Sequence, residues 1–445
     1  MSRELLQTAK ETASKAKKKG AQDARVSIGR SINSVVEWRD GKLERLREST
    51  RMGLRIELFV DGRYSGNSTS DLRPGALDRF LDDTIGAARY LTEDKHRKLP
   101  PQERYKDRFM EDLELFDGEG IKSVSPQGRK KRAGEIEAAA RTPEASKHIV
   151  SVSTRCSDNR SESVIVCTNG MEGSKSSTAF VMSAATSVRD LKDQGDRKPR
   201  GWWYGVRAHS SDLPTPESIG EEATRRAMLM RGANQIKSGR YPCIIENACA
   251  RRLLDHLMRP LYGYFLQQNR SFFADKLGEP IGSSFLDITD DPHIKRGLGS
   301  RTYDDEGMST RKRSIFEKGR LKNFYLNTYY ASKLEKVPTT GQSTNLVFVS
   351  GKRDLQKLME KMGEGILITG FSGGNSNTAT GDFSIGVRGF LVENGQPTMP
   401  VTEMNLAGNH LKFWAKLAET GNDPYMNSSM RVPSLRFDAV QFSGK

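Results

Sequence analysis

Residues 362–409 read MGEGILITGFSGGNSNTATGDFSIGVRGFLVENGQPTMPVTEMNLAGN. Ile366–Thr369 is a short apolar run that ends at a glycine, the mark of a buried strand. Gly370 to Gly381 reads as a polar, glycine-rich loop. Phe383, Ile385 and Val387 then alternate with Asp382, Ser384, Gly386 and Arg388, the pattern of a half-buried strand. Asn394-Gly395 signals a hairpin, because both central positions of a type I′ turn need positive φ. Val401–Leu406 is the returning strand. The six glycines from Gly370 to Gly389 remove side chains where another backbone could come close. Two readings stay open: a hairpin with a mobile turn, or a surface for main-chain pairing with an extended peptide. On the second reading the candidate peptide-lining residues are Gly370, Gly373, Gly374, Asn375, Thr380, Gly381, Asp382, Phe383 and Ser384.

Upstream, residues 3–19 form an amphipathic helix with Leu5, Leu6, Ala9, Ala13 and Ala16 on one stripe, stopped by Gly20. Two hairpins are expected next. Arg25–Ile32 and Ser34–Arg39 turn at Asp40-Gly41 into Leu43–Glu48, and Leu54–Val60 turns at Asp61-Gly62 into Tyr64–Thr69. Pro74 opens a second helix that runs to Leu91. A charged, proline-containing linker covers Thr92–Glu119. A helix over Arg132–Arg141 precedes Ile149–Arg155 and Ser163–Thr168, expected to pair with each other, and Asn169-Gly170 turns into a strand over Ser176–Arg189. Asp190–Gly201 is a loop tip, and Trp202-Trp203-Tyr204 a packed edge. Glu217–Gln235 and Asn247–Met258 are helical, the latter with a strong apolar stripe. Mostly strands and turns follow, closed by Phe437–Phe442. The expected class is α+β: an N-terminal mixed domain of antiparallel strands with two helices (residues 1–118), a central domain (119–238) and a strand-rich C-terminal domain (239–445).

The chain has 445 residues, 35% hydrophobic, and a mean hydropathy of −0.64. No apolar run approaches the ~20 residues of a membrane span, and no signal-peptide core opens the sequence. Cys156, Cys167, Cys243 and Cys249 are too few for a disulfide framework. A cytoplasmic protein without membrane attachment is expected. Net charge is +15, which permits attraction to nucleic acid. The basic clusters, Lys15 with Lys17–Lys19 and Arg129–Arg132, are short and read as solvated surface.

Catalytic patterns are mostly missing. None of the six histidines has another one helical turn away, as a zincin helix requires. Cys243, Cys249 and His256 are the one local cluster of metal-ligating types, and they read as buried residues rather than ligands. Gly370-Phe371-Ser372-Gly373-Gly374 matches the nucleophile motif of serine hydrolases, with His410 downstream. A nucleophile elbow must lead into a helix, though, and Asn375–Thr380 has no helical stripe. No phosphate loop occurs. The acidic turn Asp304-Asp305-Glu306 could face a hard cation but reads as a solvated hairpin turn.

Taken along its length, the chain resembles the TldD/PmbA family. The N-terminal part carries Glu37-x-Arg39-Asp40-Gly41, Arg55 and Asp61-Gly62-Arg63, and the middle carries Thr168-Asn169-Gly170. The C-terminal signatures are denser: Asp291-Pro292-His293, Gly297-x-x-Ser300, Asp304-Asp305-Glu306-Gly307, Glu317-x-Gly319, Thr380-Gly381-Asp382-Phe383-Ser384, Glu393-Asn394-Gly395, Ala407-Gly408-Asn409 and Gly421-Asn422-Asp423. The TldD branch of the family carries an H-E-x-x-x-H helix that holds zinc, with a cysteine near the C-terminus. Here the matching helix, around Ala248–Met258, holds His256 alone, and Asn427–Lys445 has no cysteine. Both departures match the PmbA branch, also called TldE.

The resemblance implies a non-catalytic partner subunit in a TldD–TldE type metalloprotease that acts on unfolded or flexible peptides. Zinc is then expected in a TldD-type zinc-bearing paralogue and no cofactor in this chain, with a homodimer left open. Two alternatives stand beside it: an independent hydrolase using Ser372 or an acidic site, and a basic nucleic-acid-binding protein or modulator of DNA gyrase, the older name for the family.

Overall fold

The computed structural model describes residues 2–191 and 196–445, so part of the expected loop tip Asp190–Gly201 lies outside the described residues. The N-terminal half runs α1 (Ser2–Lys18), β1 (Asp23–Arg39), β2 (Lys42–Val60), β3 (Arg63–Thr69), α2 (Pro74–Ala88), α3 (Gly118–Ser123), α4 (Pro126–Ala140), α5 (Pro143–Ser146), β4 (Ile149–Cys167), β5 (Glu172–Val188), β6 (Arg200–Arg207) and α6 (Pro216–Leu229). Its six strands form one antiparallel sheet in the order β3-β2-β1-β4-β5-β6.

The strands are longer than the sequence pattern suggests. Arg25–Ile32 and Ser34–Arg39 are one strand, and so are Leu43–Glu48 and Leu54–Val60. Together they make one long hairpin, with Gly29 opposite Gly53. Asn33 and Ser49 are residues common in turns, but here they pair with each other across an unbroken ladder. Likewise Ile149–Arg155 and Ser163–Thr168 do not pair with each other. They are collinear parts of β4, whose polar middle is held between β1 and β5. Asp158, in that middle, is buried against Arg129 of α4, with Nη2 2.9 Å from Oδ1 and a shorter bond from Nε to Oδ2. Helix α4 starts earlier than expected, because Ser125 caps it by accepting from the Gly128 amide. Helix α6 ends at Leu229 rather than Gln235. Both aspartate–glycine turns form as expected, with φ of 48° and 80° at Asp40-Gly41 and 49° and 73° at Asp61-Gly62.

One face of this sheet is covered by helices. Ala9, Ala13 and Ala16 of α1 and Leu77, Leu81 and Ile85 of α2 pack on Val26, Ile28, Ile56, Leu58, Val164 and Val166. Further along, Ala133 and Ile136 of α4 and Ile219 and Ala223 of α6 pack on Val36, Cys156, Met182 and Ala184. The first basic cluster ties the helices together, with Lys15 3.0 Å from Asp78 and Lys19 2.6 Å from Asp82. The opposite face presents Arg25, Glu57, Phe59 and Ile165, which meet the C-terminal half.

That half runs β7 (Gly239–Ile245), α7 (Asn247–Met258), α8 (Gly263–Gln267), β8 (Ile288–Asp290), β9 (Arg313–Glu317), β10 (Arg320–Leu321), α9 (Thr328–Lys333), β11 (Leu346–Phe348), α10 (Leu355–Met362), β12 (Gly365–Ser376), β13 (Asp382–Glu393), β14 (Gln396–Asn409), α11 (His410–Phe413), β15 (Leu417–Thr420), β16 (Met430–Arg431) and β17 (Leu435–Ser443). Strands β14-β13-β12-β7-β17-β15 form a sheet, and β14 also pairs with β17, so it closes like a barrel. Strands β10-β9-β8-β11-β16 form a smaller sheet. The apolar stripe of α7, with Leu253, Leu254 and Leu257, joins Ile245, Ile368, Ile385, Leu406, Phe437 and Phe442 in one core. On the other side of the barrel wall, Leu358 and Met359 of α10 cover Ile244, Leu367 and Val392. The fold is α+β.

Candidate functional site

The stretch expected as a loop after Thr369 stays in the ladder. β12 runs on to Ser376, with register shifts between Ile368 and Gly370 and between Ser372 and Asn375. Those bulges account for much of the glycine. A Cβ at Gly389 would lie 1.8 Å from the Leu367 carbonyl oxygen, and one at Gly374 would lie 2.4 Å from that of Ser384. The true turn is residues 377–381. The Asn409 amide donates to Thr380 O and to Asp382 Oδ1, each at 2.9 Å. Asn394 and Gly395 turn with φ of 51° and 73°, as a type I′ hairpin requires.

The nine residues read as peptide-lining do not share one surface. Gly373, Gly374, Asn375, Thr380, Asp382 and Ser384 are exposed along the end of the β12–β13 hairpin. Gly381 is buried at the turn beside Phe272, and Phe383 is buried against His410 at 4.7 Å between ring centroids. Of the nine, Gly370 lines a cleft of about 590 Å³ between the sheet edge at β6 and the barrel.

The cleft has an apolar floor and a charged flank. Trp202 and Tyr204 share one face of β6, as residues two apart on a strand must, and stack at 4.5 Å. Met359 of α10, Phe390 of β13 and Pro400 of β14 line the barrel side. Trp203 lies under the Arg226 guanidinium at 4.2 Å. Arg226 is held by Glu246 at 2.9 Å and Glu222 at 2.7 Å. Arg388 has no ion-pair partner among the described residues, and desolvation together with the Arg226 charge pushes its pKa down. A Cβ at Gly370 would stand 2.5 Å from Arg388 Nε, so this glycine makes room for the arginine. Arg388 and Met359 were not singled out in the sequence. The signal for Arg388 was its place two residues beyond Gly386 on the alternating strand, but neither its exposure nor its neighbours could be read there.

The hydrolase motif is not assembled. Ser372 sits mid-strand opposite Gly386. His410 Nε2 lies 3.0 Å from Ser376 Oγ instead, and the Trp414 indole N–H donates to His410 Nδ1 at 3.3 Å. With Nδ1 accepting, Nε2 carries the proton and donates to the serine, the reverse of what a general base needs. Burial and the neighbouring His256 push His410 down to about 3.

No metal centre forms from these side chains. Cys249 Sγ donates to the carbonyls of Glu246 and Ile368, and burial pushes its thiol pKa up. His256 is two helical turns further on, about 10 Å of rise, too far to share an ion with Cys249. Cys243 is buried in the core. Among the described residues, no three histidine, cysteine, aspartate or glutamate side chains converge as a ligand set. The donor set therefore does not fit a catalytic zinc, which needs three protein ligands.

The acidic turn is not solvated. Asp304 and Glu306 are buried, 3% and 8% exposed. Glu306 accepts from the Thr328 amide and hydroxyl at 2.7 and 2.8 Å and faces Arg25 of β1 at 3.6 Å. Arg25 also pairs with Glu57. Asp304 Oδ1 accepts from the amides of Glu306 and Met308. Burial, with Glu306 adding to it, pushes Asp304 up to about 6. This turn is how the C-terminal half docks on the charged face of the sheet.

Known proteins share this whole layout. The domain 1, central and C-terminal domain descriptions of the PmbA/TldA metallopeptidases match residues 24–88, 119–231 and 238–444 in order. The metalloprotease PmbA of Escherichia coli O157:H7 is 28% identical, over 100% of this chain and 97% of that protein. A metalloprotease TldD homologue of Buchnera aphidicola is 28% identical over 48% of this chain and 47% of its own length. The crystal structure of a Bacteroides thetaiotaomicron protein described as a modulator of DNA gyrase superposes with a TM-score of 0.94 at 37% identity, covering 99% of this chain and 98% of that one. TldE from Thermococcus kodakarensis has the same fold, with a TM-score of 0.85 at 20% identity over 98% of this chain and all of that one. The chain belongs to the TldD/PmbA family, in its PmbA (TldE) branch.

Proposed function

We propose that this chain is a partner subunit of a two-chain TldD–TldE type metalloprotease and contributes a peptide-holding cleft rather than the metal. The observation that carries this reading is the ligand set of α7, where a zinc-binding relative would present two histidines. Here that helix offers His256, whose neighbour is the ring of His410 at 6.5 Å. The cleft beside Gly370 supplies apolar surface for peptide side chains, and Arg388, without an ion-pair partner among the described residues, for a backbone carbonyl or a carboxylate. Zinc and the attacking water belong on this reading to a TldD-type chain.

The test uses the purified chain alone and mixed with a zinc-bearing TldD-type paralogue, with zinc content and cleavage of an unfolded peptide as readouts. The lone chain is expected to be inactive, and the mixture to cleave until a chelator is added. Chelator-resistant cleavage by the lone chain would overturn the proposal. Arg388→Ala is expected to raise KM of the mixture about tenfold or more with kcat little changed, the loss of one charge-assisted hydrogen bond.

A further inference from the structure

A second cavity, of about 580 Å³, lies on the face of the N-terminal sheet turned away from its helices. Its floor is the charged face of β1 and β2, at Arg25 and Glu57. Its roof is the turn at residues 301–306 and the start of α9. Three buried polar atoms in this roof have no hydrogen-bond partner among the described residues: Asp304 Oδ2, the Tyr303 hydroxyl and Arg301 Nε. Asp304 and Tyr303 are 3% and 4% exposed. A buried polar group without a partner is unfavourable, and here three such groups occur within four residues, on side chains that all contribute to one cavity.

Their chemistry is mixed. Asp304 Oδ2 is an unmet acceptor, Arg301 Nε is an unmet donor, and the tyrosine hydroxyl can be either. A simple anion would meet Asp304, Glu57 and Glu306. A simple cation would meet Arg25 and Arg301, and also Arg97, whose guanidinium is fixed over the rings of Tyr64 and Tyr329 at 4.3 and 3.5 Å. A group carrying both signs close together satisfies the roof: an ammonium toward Asp304 and, across one carbon, a carboxylate or carbonyl oxygen toward Arg301. Lys98 and Lys175, at the mouth, have no ion-pair partner among the described residues and favour the negative end.

We propose that this cavity binds an α-amino acid head group, an ammonium next to a carboxylate or carbonyl, presented by a free amino acid or by the amino-terminal end of a short peptide. The site does not rest on the partner-subunit reading, since it is built within one chain and away from the cleft at Gly370.

Isothermal titration calorimetry on the full chain tests it, with L-alanine, trialanine and N-acetyl-trialanine as probes. L-Alanine or trialanine is expected to bind at millimolar concentration or below. Acetylation of trialanine and the substitution Asp304→Asn are each expected to weaken binding about tenfold or more, the effect of losing one charged hydrogen bond. Tighter binding of trialanine identifies a peptide end as the ligand, and tighter binding of L-alanine identifies the free amino acid. Should Asp304→Asn fail to fold, Tyr303→Phe serves in its place. No heat from either free amine at millimolar concentration overturns the proposal, as does equal affinity for the acetylated probe or unchanged affinity in the folded variant. Those results leave the reconstitution assay above unaffected.

Discussion

Asp304 is held in its folded environment as a reluctant carboxylate. Its pKa rises from 3.8 to about 6 because burial and Glu306 disfavour the charge. The folded state therefore binds more protons than the unfolded state between pH ~4 and ~6, so stability falls as pH rises through that window. Asp304→Asn keeps the Oδ1 bonds to the Glu306 and Met308 amides and removes the titration. Urea melts should show the variant more stable than the native chain at pH 7, on the order of 2–3 kcal/mol, with the difference vanishing near pH 4. Gly389 belongs to the same scale. A methyl group there would collide with the Leu367 carbonyl at 1.8 Å, so Gly389→Ala should lower the urea midpoint by the equivalent of about 1–3 kcal/mol. That glycine was visible in the sequence as a site of close approach. The approaching backbone is the neighbouring strand of the same hairpin, and spacing along one strand carries no information on which backbone that is.

At the level of elements, turns and amphipathic stripes were legible, and strand lengths were not. Asp40-Gly41, Asp61-Gly62 and Asn394-Gly395 all turn with positive φ at both positions, because their chemistry is local. Helix α7 matches its apolar stripe from Asn247 to Met258. The middle of β4 misled because its polar residues separate two strand-patterned segments, Ile149–Arg155 and Ser163–Thr168, expected to pair with each other; Asp158 lies in that middle. Its burial depends on Arg129, which is distant in sequence, and the pair makes the polar segment a central strand. Asp158→Ala leaves the Arg129 guanidinium buried without its partner. The expected cost is about 3–5 kcal/mol, seen as a lower urea midpoint and as proteolytic cleavage within α4. The cleft was legible only in fragments, since Trp202, Met359 and Arg388 meet through packing between elements far apart in the chain. The acidic turn was misread for the same reason: its counter-charge, Arg25, lies on the first strand.

Across the whole molecule, β17 is the strand on which the C-terminal half closes. It pairs with β7, β14 and β15 and buries Leu435, Phe437, Val440 and Phe442. Losing a large apolar side chain from a core costs about 2–5 kcal/mol, and four together, about 8–20 kcal/mol, are as large as the ~5–15 kcal/mol by which domains are stable. A chain ended after Ser434 should therefore lose the cooperative thermal transition of its C-terminal half, measured by calorimetry, while the sheet built from β1–β6 keeps its own. The order of strands also sets a schedule during synthesis. The N-terminal sheet has every strand once residue 207 has been made, long before the Asp304 turn arrives to cover it. Until then one side is sheltered by helices and the other stands in water. That waiting side sets Arg25, Arg55 and Glu57 among Phe59 and Ile165, so the nascent half-protein breaks up its greasy spots with ions where an unbroken apolar face would invite clumping.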